Sequence, residues 1–425
     1  MSFTKILKGL SGSKIVYNKL LDHNVSNAWI YSGGSIMPII DHFYKGPINY
    51  YVGTHEQSCG HSATGYAKST GKTGIALVTS GPGITNMITP LLDANNDSTP
   101  LIVISGQVNT SAIGTDAFQE APAVDITKPV TKWSYCVKDL YELPYAMDYA
   151  FYIANDKKKG SVHIDIPKNI SSEIYKCNFK EINSFIRNSY NISNFNDTIN
   201  LNKLKKVAEL INKSCKPILY VGQGCNNDSK LLTKFIEKTN IPITTTIHAN
   251  GVYDETKDKS LRWCGMHGSA AANYSIQDAD LIIALGSRFD DRTTGDISTY
   301  APSAFKAFND GNGGIIHVNI EPNEINKVIN SHYNFNNSCK TFLDNIIPLV
   351  NKNNRTEWNE ITQIRKKKYP FKYKNNAKNR LNMEAVLTEF NKQLLDKDSI
   401  ITTGVGNHQM QTYQFILSKN PNKIF

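Results

Sequence analysis

Short, continuous apolar runs recur along the chain, each closed by glycine, serine or proline. Ala28–Tyr31, Ile75–Thr79, Leu101–Ser105 and Val162–Pro167 are of this kind. Unbroken runs suit strands of a parallel sheet that is covered on both faces. Segments with helical spacing lie between or before them, at Gly12–Asp22, Ile36–Phe43 and Cys59–Thr70. Alternation of this sort predicts a doubly wound α/β domain over residues 1–172. The pattern lapses over residues 173–200, where the stretch Cys177–Asn200 is polar and rich in asparagine and reads as a linker. It resumes at Pro217–Gly222, Ile241–Thr246, Leu281–Leu285 and Gly314–Ile320, which predict a second α/β sheet over residues 201–350. Residues 351–380 are rich in lysine and asparagine and read as a second linker. A helix at Met383–Leu395 and a strand at Ser399–Thr402 then predict the start of a third domain over residues 381–425. Val386, Leu387, Phe390 and Ile416 in that stub are expected to expose apolar surface.

Two junctions in this pattern carry candidate chemistry. Glu56 follows the extended stretch from Tyr51 and opens a small-residue helix, and Thr79-Ser80-Gly81-Pro82-Gly83 closes the next strand. A carboxylate and a glycine turn at neighbouring strand ends fit the crevice where an α/β sheet binds ligand. Taken alone, Glu56 reads more simply as a surface acid at a helix start, where the macrodipole favours an anion. The second junction is Gly222-Gln-Gly224 after a strand. It reads either as the start of a dinucleotide fingerprint or as a plain tight turn, since Asn227 stands where the third glycine would be.

Composition narrows the class. The 425 residues give room for two or three domains with ample core. No apolar run has membrane-spanning length, so no membrane partner is expected. The N-terminus shows no evident signal or transit peptide, and a cytoplasmic location is expected. The formal net charge is +10, but Lys157–Lys159 and Lys366–Lys368 read as solvated loops. No arginine-rich or aromatic-interleaved stripe points to nucleic acid. Seven scattered cysteines without a Cys-x-x-Cys pair read as reduced thiols and give no zinc site.

Together the motifs resemble the acetolactate (acetohydroxyacid) synthase large-subunit family, whose members are carboligases that contain thiamine diphosphate and flavin. Thr54-His-Glu-Gln57 and Ser80-Gly-Pro-Gly-Ile-Thr-Asn86 occur across thiamine enzymes of this fold. Gly106-Gln107, Gly114-Thr-Asp-Ala-Phe-Gln-Glu120, Ile126-Thr-Lys-Pro-Val-Thr-Lys132, Gly265-Met-His-Gly268, Gly286-Ser-Arg-Phe-Asp-Asp-Arg292 and Gly404-Val-Gly-Asn-His-Gln-Met410 are narrower. The resemblance covers essentially the whole chain. It implies a pyrimidine-binding domain, a central FAD-binding-type domain and the start of a diphosphate-binding domain.

The resemblance also implies roles for residues. Glu56 would activate thiamine diphosphate by hydrogen-bonding its aminopyrimidine ring, with Pro82 and Asn86 beside that ring. Val405, Gly406, Asn407 and His408 would face the diphosphate. Gly34, Ser35, Phe118, Gln119 and Lys132 would line the substrate channel. Met266 and Arg292 would complete it across a dimer, with Arg292 pairing a 2-keto acid carboxylate. For Arg292 an ion pair with Asp290 or Asp291 is the plain alternative. FAD would be held by Gly222, Gly224, Thr246, Ile247, His267, Gly268, Gly286, Arg288 and Asp290.

The implied reaction decarboxylates pyruvate and joins the hydroxyethyl unit to a second pyruvate or to 2-ketobutyrate, in branched-chain amino acid synthesis. A homodimer or tetramer and a regulatory small subunit are implied as well. Mg²⁺ ligands would lie in the remainder of the third domain, with no metal site in this chain. Asp310-Gly-Asn-Gly-Gly314 reads as a loop. The isolated chain is therefore expected to be inactive. A non-catalytic, dimerising, FAD-binding homologue is the alternative, and a thiamine-dependent decarboxylase or oxidase is another. The chain departs from the family pattern at Ser32, Asn319, Asn337-Ser-Cys-Lys340 and Asn407.

Overall fold

The computed structural model describes residues 7–176, 195–374 and 381–425. The chain forms two compact units, Met1–Asn194 and Phe195–Phe425. Most of the expected first linker lies outside the described residues.

The first unit holds strands β1 (Asn27–Ile30), β2 (Asn49–Val52), β3 (Gly74–Val78), β4 (Leu101–Gln107), β5 (Trp133–Cys136) and β6 (Ser161–Pro167). They form one six-stranded sheet in the order β2-β1-β3-β4-β6-β5, with every pairing parallel. Helices α1 (Gly12–Asp22), α2 (Glu56–Thr70), α3 (Ile88–Asn96) and α4 (Leu143–Asn155) are its longest. Every residue of β3, β4 and β6 is buried, as their unbroken apolar runs predict. The edge strands differ: β2 is exposed along its length and β5 is half-buried. Helix α1 is started by Ser11, whose side chain accepts from Lys14 N (3.2 Å).

The second unit holds β7 (Pro217–Val221), β8 (Ile243–Thr245), β9 (Ser260–Trp263), β10 (Leu281–Leu285), β11 (Gly314–Val318) and β12 (Tyr333–Phe335). This sheet is again six-stranded and runs β12-β11-β10-β7-β8-β9, all parallel. Its longer helices are α5 (Leu201–Lys213), α6 (Ser229–Thr239), α7 (Ala270–Asp278), α8 (Pro302–Asn309), α9 (Cys339–Ile346), α10 (Thr356–Lys368), α11 (Met383–Leu394) and α12 (Asn407–Phe415). Asp310-Gly-Asn-Gly-Gly314 is the tight turn between α8 and β11, with Gly311 at φ +73°.

Three expectations are corrected here. Residues 351–380 are not all linker, because 356–368 form α10. That helix is polar, but it is anchored at two points. Trp358 is fully buried and its Nε1 donates to Pro217 O (2.8 Å). The Arg355 guanidinium donates to the carbonyls of Thr239, Ser214 and Ile211. Those are acceptors in or just beyond the last turns of α5 and α6, where helix carbonyls lack partners. Lys366–Lys368 are likewise helical, in the last turn of α10, where a cation suits the dipole.

The third correction concerns the segment 381–425, which packs within the second unit. Ser399–Thr402 forms no strand, and Ile401 makes only an isolated parallel bridge to Ile424. Leu387 and Ile416 are buried together with Trp263, Tyr413 and Ile424. Val386 is half-buried and only Phe390, 50% exposed, remains as expected. The Arg262 guanidinium fastens the end of α12, donating to Tyr413 O (2.6 Å) and Ile416 O (3.0 Å). Trp263 Nε1 adds a bond to Tyr413 O (3.2 Å). Arg262 itself sits at φ +65°, a conformation disfavoured for a non-glycine residue.

Arg262→Ala is expected to destabilise this docking by about 2 kcal/mol, the scale of charged hydrogen bonds lost at a half-closed site. Limited proteolysis should then cut within 395–425 faster than in the wild type. An unchanged cleavage rate would show that the guanidinium is not what holds the segment.

Candidate active site

Both sheets place their glycine turns where the strand order reverses. In the first unit β1 is followed by β2 on one side and β3 on the other. Turns leaving adjacent strands in opposite directions open a crevice at the carboxyl ends of those strands. The turn after β1 is Ser32-Gly33-Gly34-Ser35, and the turn after β3 is Thr79-Ser80-Gly81. They are tied across the crevice. Ser35 Oγ lies 2.9 Å from Thr79 Oγ1 and accepts from Ser80 N (3.0 Å). A Cβ on Gly33 would meet Thr79 at 2.4 Å, so Gly33 is needed for the fold. The space beside Gly34 is open, which leaves that glycine free to face a ligand.

Glu56 is the first residue of α2, just after His55, whose Nδ1 caps the helix by accepting from Gln57 N (3.1 Å). Glu56 is only 7% exposed. Asn86 Nδ2 donates to its Oε2 (2.9 Å). No partner for Oε1 is present among the described residues. Asn86 follows the short helix Pro82–Thr85, which Gly81 starts at φ +57°. A Cβ on Gly81 would lie 2.8 Å from Gln119 O. Glycine is therefore required twice there, for its backbone angle and for the approach of the loop carrying Phe118 and Gln119. Phe118 is 88% exposed. Gln119 is exposed and held at φ +59°. Glu120 shapes this loop by accepting from the amides of Gly114 and Ala117. Those backbone bonds hold its carboxyl below the usual range. The sequence reading quoted Glu120 inside a motif but gave it no role.

Lys132 is the residue whose expected place changes. Its Nζ donates to Ile153 O (2.5 Å), Asp156 O (2.7 Å) and Lys158 O (2.7 Å). Its ammonium closes the chain where it leaves α4, which is a structural task.

Behind the crevice lies a polar cluster that the sequence reading did not find. Ser105 faces Asp165 in the parallel register of β4 and β6. Ser105 Oγ donates to Asp165 Oδ1 (2.6 Å) and lies 2.7 Å from His163 Nε2. Thr127 Oγ1 and Ser134 Oγ lie 2.9 and 3.0 Å from His163 Nδ1. Gln107 Nε2 donates to Asp165 Oδ2 (2.8 Å). Burial pushes the His163 imidazole down to about 3 and the Asp165 carboxyl up to about 7, the latter against hydrogen bonds from Ser105, Gln107 and Cys136. The Cys136 thiol is itself pushed up to about 12, by burial first and then by Asp165. The cluster has the residue types of a nucleophilic triad but is sealed from solvent, so it serves the structure.

In the second unit the reversal falls between β7 and β10, with β8 and β9 on one side and β11 and β12 on the other. Gly222, Gly224 and Gly286 meet there. A Cβ on Gly222 would lie 2.2 Å from Gly286 O, and one on Gly286 would lie 2.8 Å from Gly224. These glycines let two strand ends close on each other at the mouth of the crevice. Thr246 N is tied to Val221 O (2.8 Å) beside them, and Ile247 is half-buried next to it. Gly268 packs tightly on Trp263 O. The carbonyl of His267 accepts from Gln414 Nε2 (2.9 Å). Arg288 is half-buried on the loop after Gly286.

Met266 N donates to Arg292 O (2.8 Å), which brings those two residues together. Met266 is 62% exposed. Asp290 caps the turn Asp291–Thr294 by accepting from Thr293 N (3.1 Å). Among the described residues, the Arg292 guanidinium pairs with Asp291 alone, at 3.8 Å between two well-exposed side chains, a contact of little strength. Asn319 Nδ2 donates to Ser287 O (2.9 Å), a bond an aspartate could not make. Val405, Asn407 and His408 are exposed, around Gly406 at φ +147°.

Residues 10–127 match the family model "Thiamine pyrophosphate enzyme, N-terminal TPP binding domain", and residues 204–346 match "Thiamine pyrophosphate enzyme, central domain". The two units thus correspond to the N-terminal and central domains of thiamine pyrophosphate enzymes. The chain is 40% identical over 97% of its length to the mitochondrial acetolactate synthase catalytic subunit of Saccharomyces cerevisiae, covering 62% of that protein. It is 40% identical over 98% of its length to the mitochondrial acetolactate synthase of Schizosaccharomyces pombe, covering 64%. It is 35% identical over 97% of its length to the acetolactate synthase large subunit of Buchnera aphidicola, covering 71%. The chain belongs to the acetolactate synthase family, and it spans under two thirds of the length of the two fungal relatives.

The buried cluster predicts opposite pH effects on stability. The Asp165 carboxyl is raised on folding, so its contribution is lost as pH rises from about 4 to about 7. The His163 imidazole is lowered, so its contribution is lost as pH falls from about 6.5 toward 3. The two nearly cancel between pH 4 and 6.5. In denaturant melts, His163→Gln is expected to gain roughly 3 kcal/mol relative to wild type from pH 6.5 to 4, and Asp165→Asn to lose a similar amount. Parallel curves for the three proteins would rule out this pairing.

Proposed function

We propose that the protein acts as an acetolactate synthase, decarboxylating pyruvate and joining the hydroxyethyl unit to a second pyruvate or to 2-ketobutyrate. The observation that carries this reading is Glu56, buried at the β1/β3 reversal, with Oε2 held by Asn86 and, among the described residues, no partner on Oε1. Thiamine diphosphate, when bound, supplies the nucleophilic carbon and the electron sink for decarboxylation. Glu56 Oε1 would share a proton with the aminopyrimidine ring, and Asn86, donating to Oε2 (2.9 Å), would keep the carboxylate aimed at it. Gly34 leaves room for the ring, and the Phe118–Gln119 loop bounds the space where substrate would sit. Arg292, bound only weakly to Asp291, offers a planar pair of donors to a 2-keto acid carboxylate.

FAD fits the second unit, whose glycine-lined crevice lies at the strand reversal typical of dinucleotide sites. Thr246, Ile247, His267, Gly268, Arg288 and Asp290 are the residues we assign to it, in a structural role. Mg²⁺ is assigned to a further domain, with Val405–His408 facing the diphosphate. The working form is a homodimer or tetramer, with a regulatory small subunit as a further partner.

The 425-residue chain alone is expected to make no acetolactate from pyruvate with thiamine diphosphate, Mg²⁺ and FAD. Fused to the diphosphate-binding domain of a relative, it is expected to do so. In that fusion Glu56→Gln should lower kcat/KM by about 10²–10⁴-fold, the range of a lost proton-transfer partner. Turnover that survives Glu56→Gln unchanged would reject the assignment.

A further inference from the structure

The amide of Gln107 reaches in two directions at once. Its Nε2 donates to Asp165 Oδ2 (2.8 Å) and to Ala121 O (3.2 Å). Its Oε1 accepts from Val108 N (2.8 Å), which fixes which end of the amide faces the carboxylate. Asp165 cannot shift away, because Ser105 Oγ holds its other oxygen at 2.6 Å. Asp165 is 1% exposed and Gln107 4%, so no water competes for these bonds. Ala121 ends the loop that Glu120 shapes and that carries Phe118 and Gln119. The Gln119 carbonyl in turn rests against Gly81, the residue that sets Asn86 on Glu56. The end of β4 also presses on the substrate side, since a Cβ on Gly106 would meet Ser35 Oγ at 2.5 Å.

We propose that Asp165 is a positioning residue for the substrate loop 114–121, acting through Gln107 and Ala121 to hold Phe118 and Gln119 beside Glu56. The inference rests on the catalytic reading for its purpose but on the hydrogen bonds alone for its mechanics. A buried carboxylate that accepts from an amide on the neighbouring strand fixes that amide in one rotamer. Asn can replace Asp here, because its oxygen still accepts from Gln107 and Ser105 can turn its hydroxyl to accept from the new NH₂ group. Serine cannot, because its hydroxyl is too short to reach Gln107.

Amide hydrogen exchange on the full 425-residue chain tests this. Asp165→Ser and Gln107→Ala are each expected to speed exchange at Val108, Gly114, Ala117 and Glu120 by about tenfold, the loss expected for one buried hydrogen-bonded anchor. Exchange in β3 should not change. The double variant should be no faster than either single one, and Asp165→Asn should return to the wild-type rate. Faster loop exchange in Gln107→Ala but wild-type exchange in a folded Asp165→Ser chain would overturn the proposal. If Asp165→Ser does not fold, Ser105→Ala carries the same test. It frees Asp165 Oδ1, and wild-type loop exchange in that folded variant would also overturn it. A parallel assay on the fusion with a relative's diphosphate-binding domain separates the two readings. If that fusion makes no acetolactate while the loop responds as stated, the catalytic reading fails and the anchoring is upheld.

Discussion

A carboxylate buried in a sheet covered on both faces is costly unless its oxygens find donors. The first unit meets this constraint twice, in opposite ways. Asp165 is matched on both oxygens, by Ser105 and Gln107, and so becomes a fixed point inside the sheet. Glu56 is matched on one oxygen by Asn86, and so keeps an oxygen for something else. Both lie toward the carboxyl ends of the strands, where the helices and turns of the crevice begin. The fully satisfied acid builds the wall, and the half-satisfied acid is the one we assign to the ligand.

Glycine does the complementary work. At Gly33, Gly81, Gly222 and Gly286 a side chain would collide with backbone or with a neighbouring strand end. These positions let turns pass close to one another where the strand order reverses. Gly34 differs, because nothing crowds it, and that contrast separates a glycine the fold needs from one a ligand would use. The pair Gly222 and Gly224 packs against Gly286, so a tight turn accounts for both glycines.

The central strands were legible because burial on both faces requires unbroken apolar runs, and β3, β4 and β6 have them. β5, β9 and β12 were missed and β2 was seen only as an extended stretch, because edge strands tolerate polar and aromatic residues that blur the pattern. Helix α10 was missed for a related reason. Two anchors, Trp358 and Arg355, hold an otherwise polar segment, and a pair of residues leaves no period to read. The expected exposure of the last segment failed at Leu387 and Ile416. Their cover comes from Trp263, in an edge strand that was itself not anticipated. In the site, Glu56, Asn86 and Gln119 were named from motifs; Asn86 donates to Glu56, and Gln119 lies against Gly81. The Ser105–His163–Asp165 cluster was not found, because it depends on the register of β4 with β6, which no single stretch of sequence reveals. Lys132 shows the converse: a motif residue with its charge committed to three carbonyls.

The proposed function turns on Glu56 Oε1 as the partner of an aminopyrimidine ring. A crystal structure of the protein grown with thiamine diphosphate should show a pyrimidine nitrogen within about 3.2 Å of Glu56 Oε1, hydrogen-bonding distance, with the Asn86 bond to Oε2 intact. A cofactor lodged elsewhere, or a Glu56 carboxylate turned away from the ring, would contradict it.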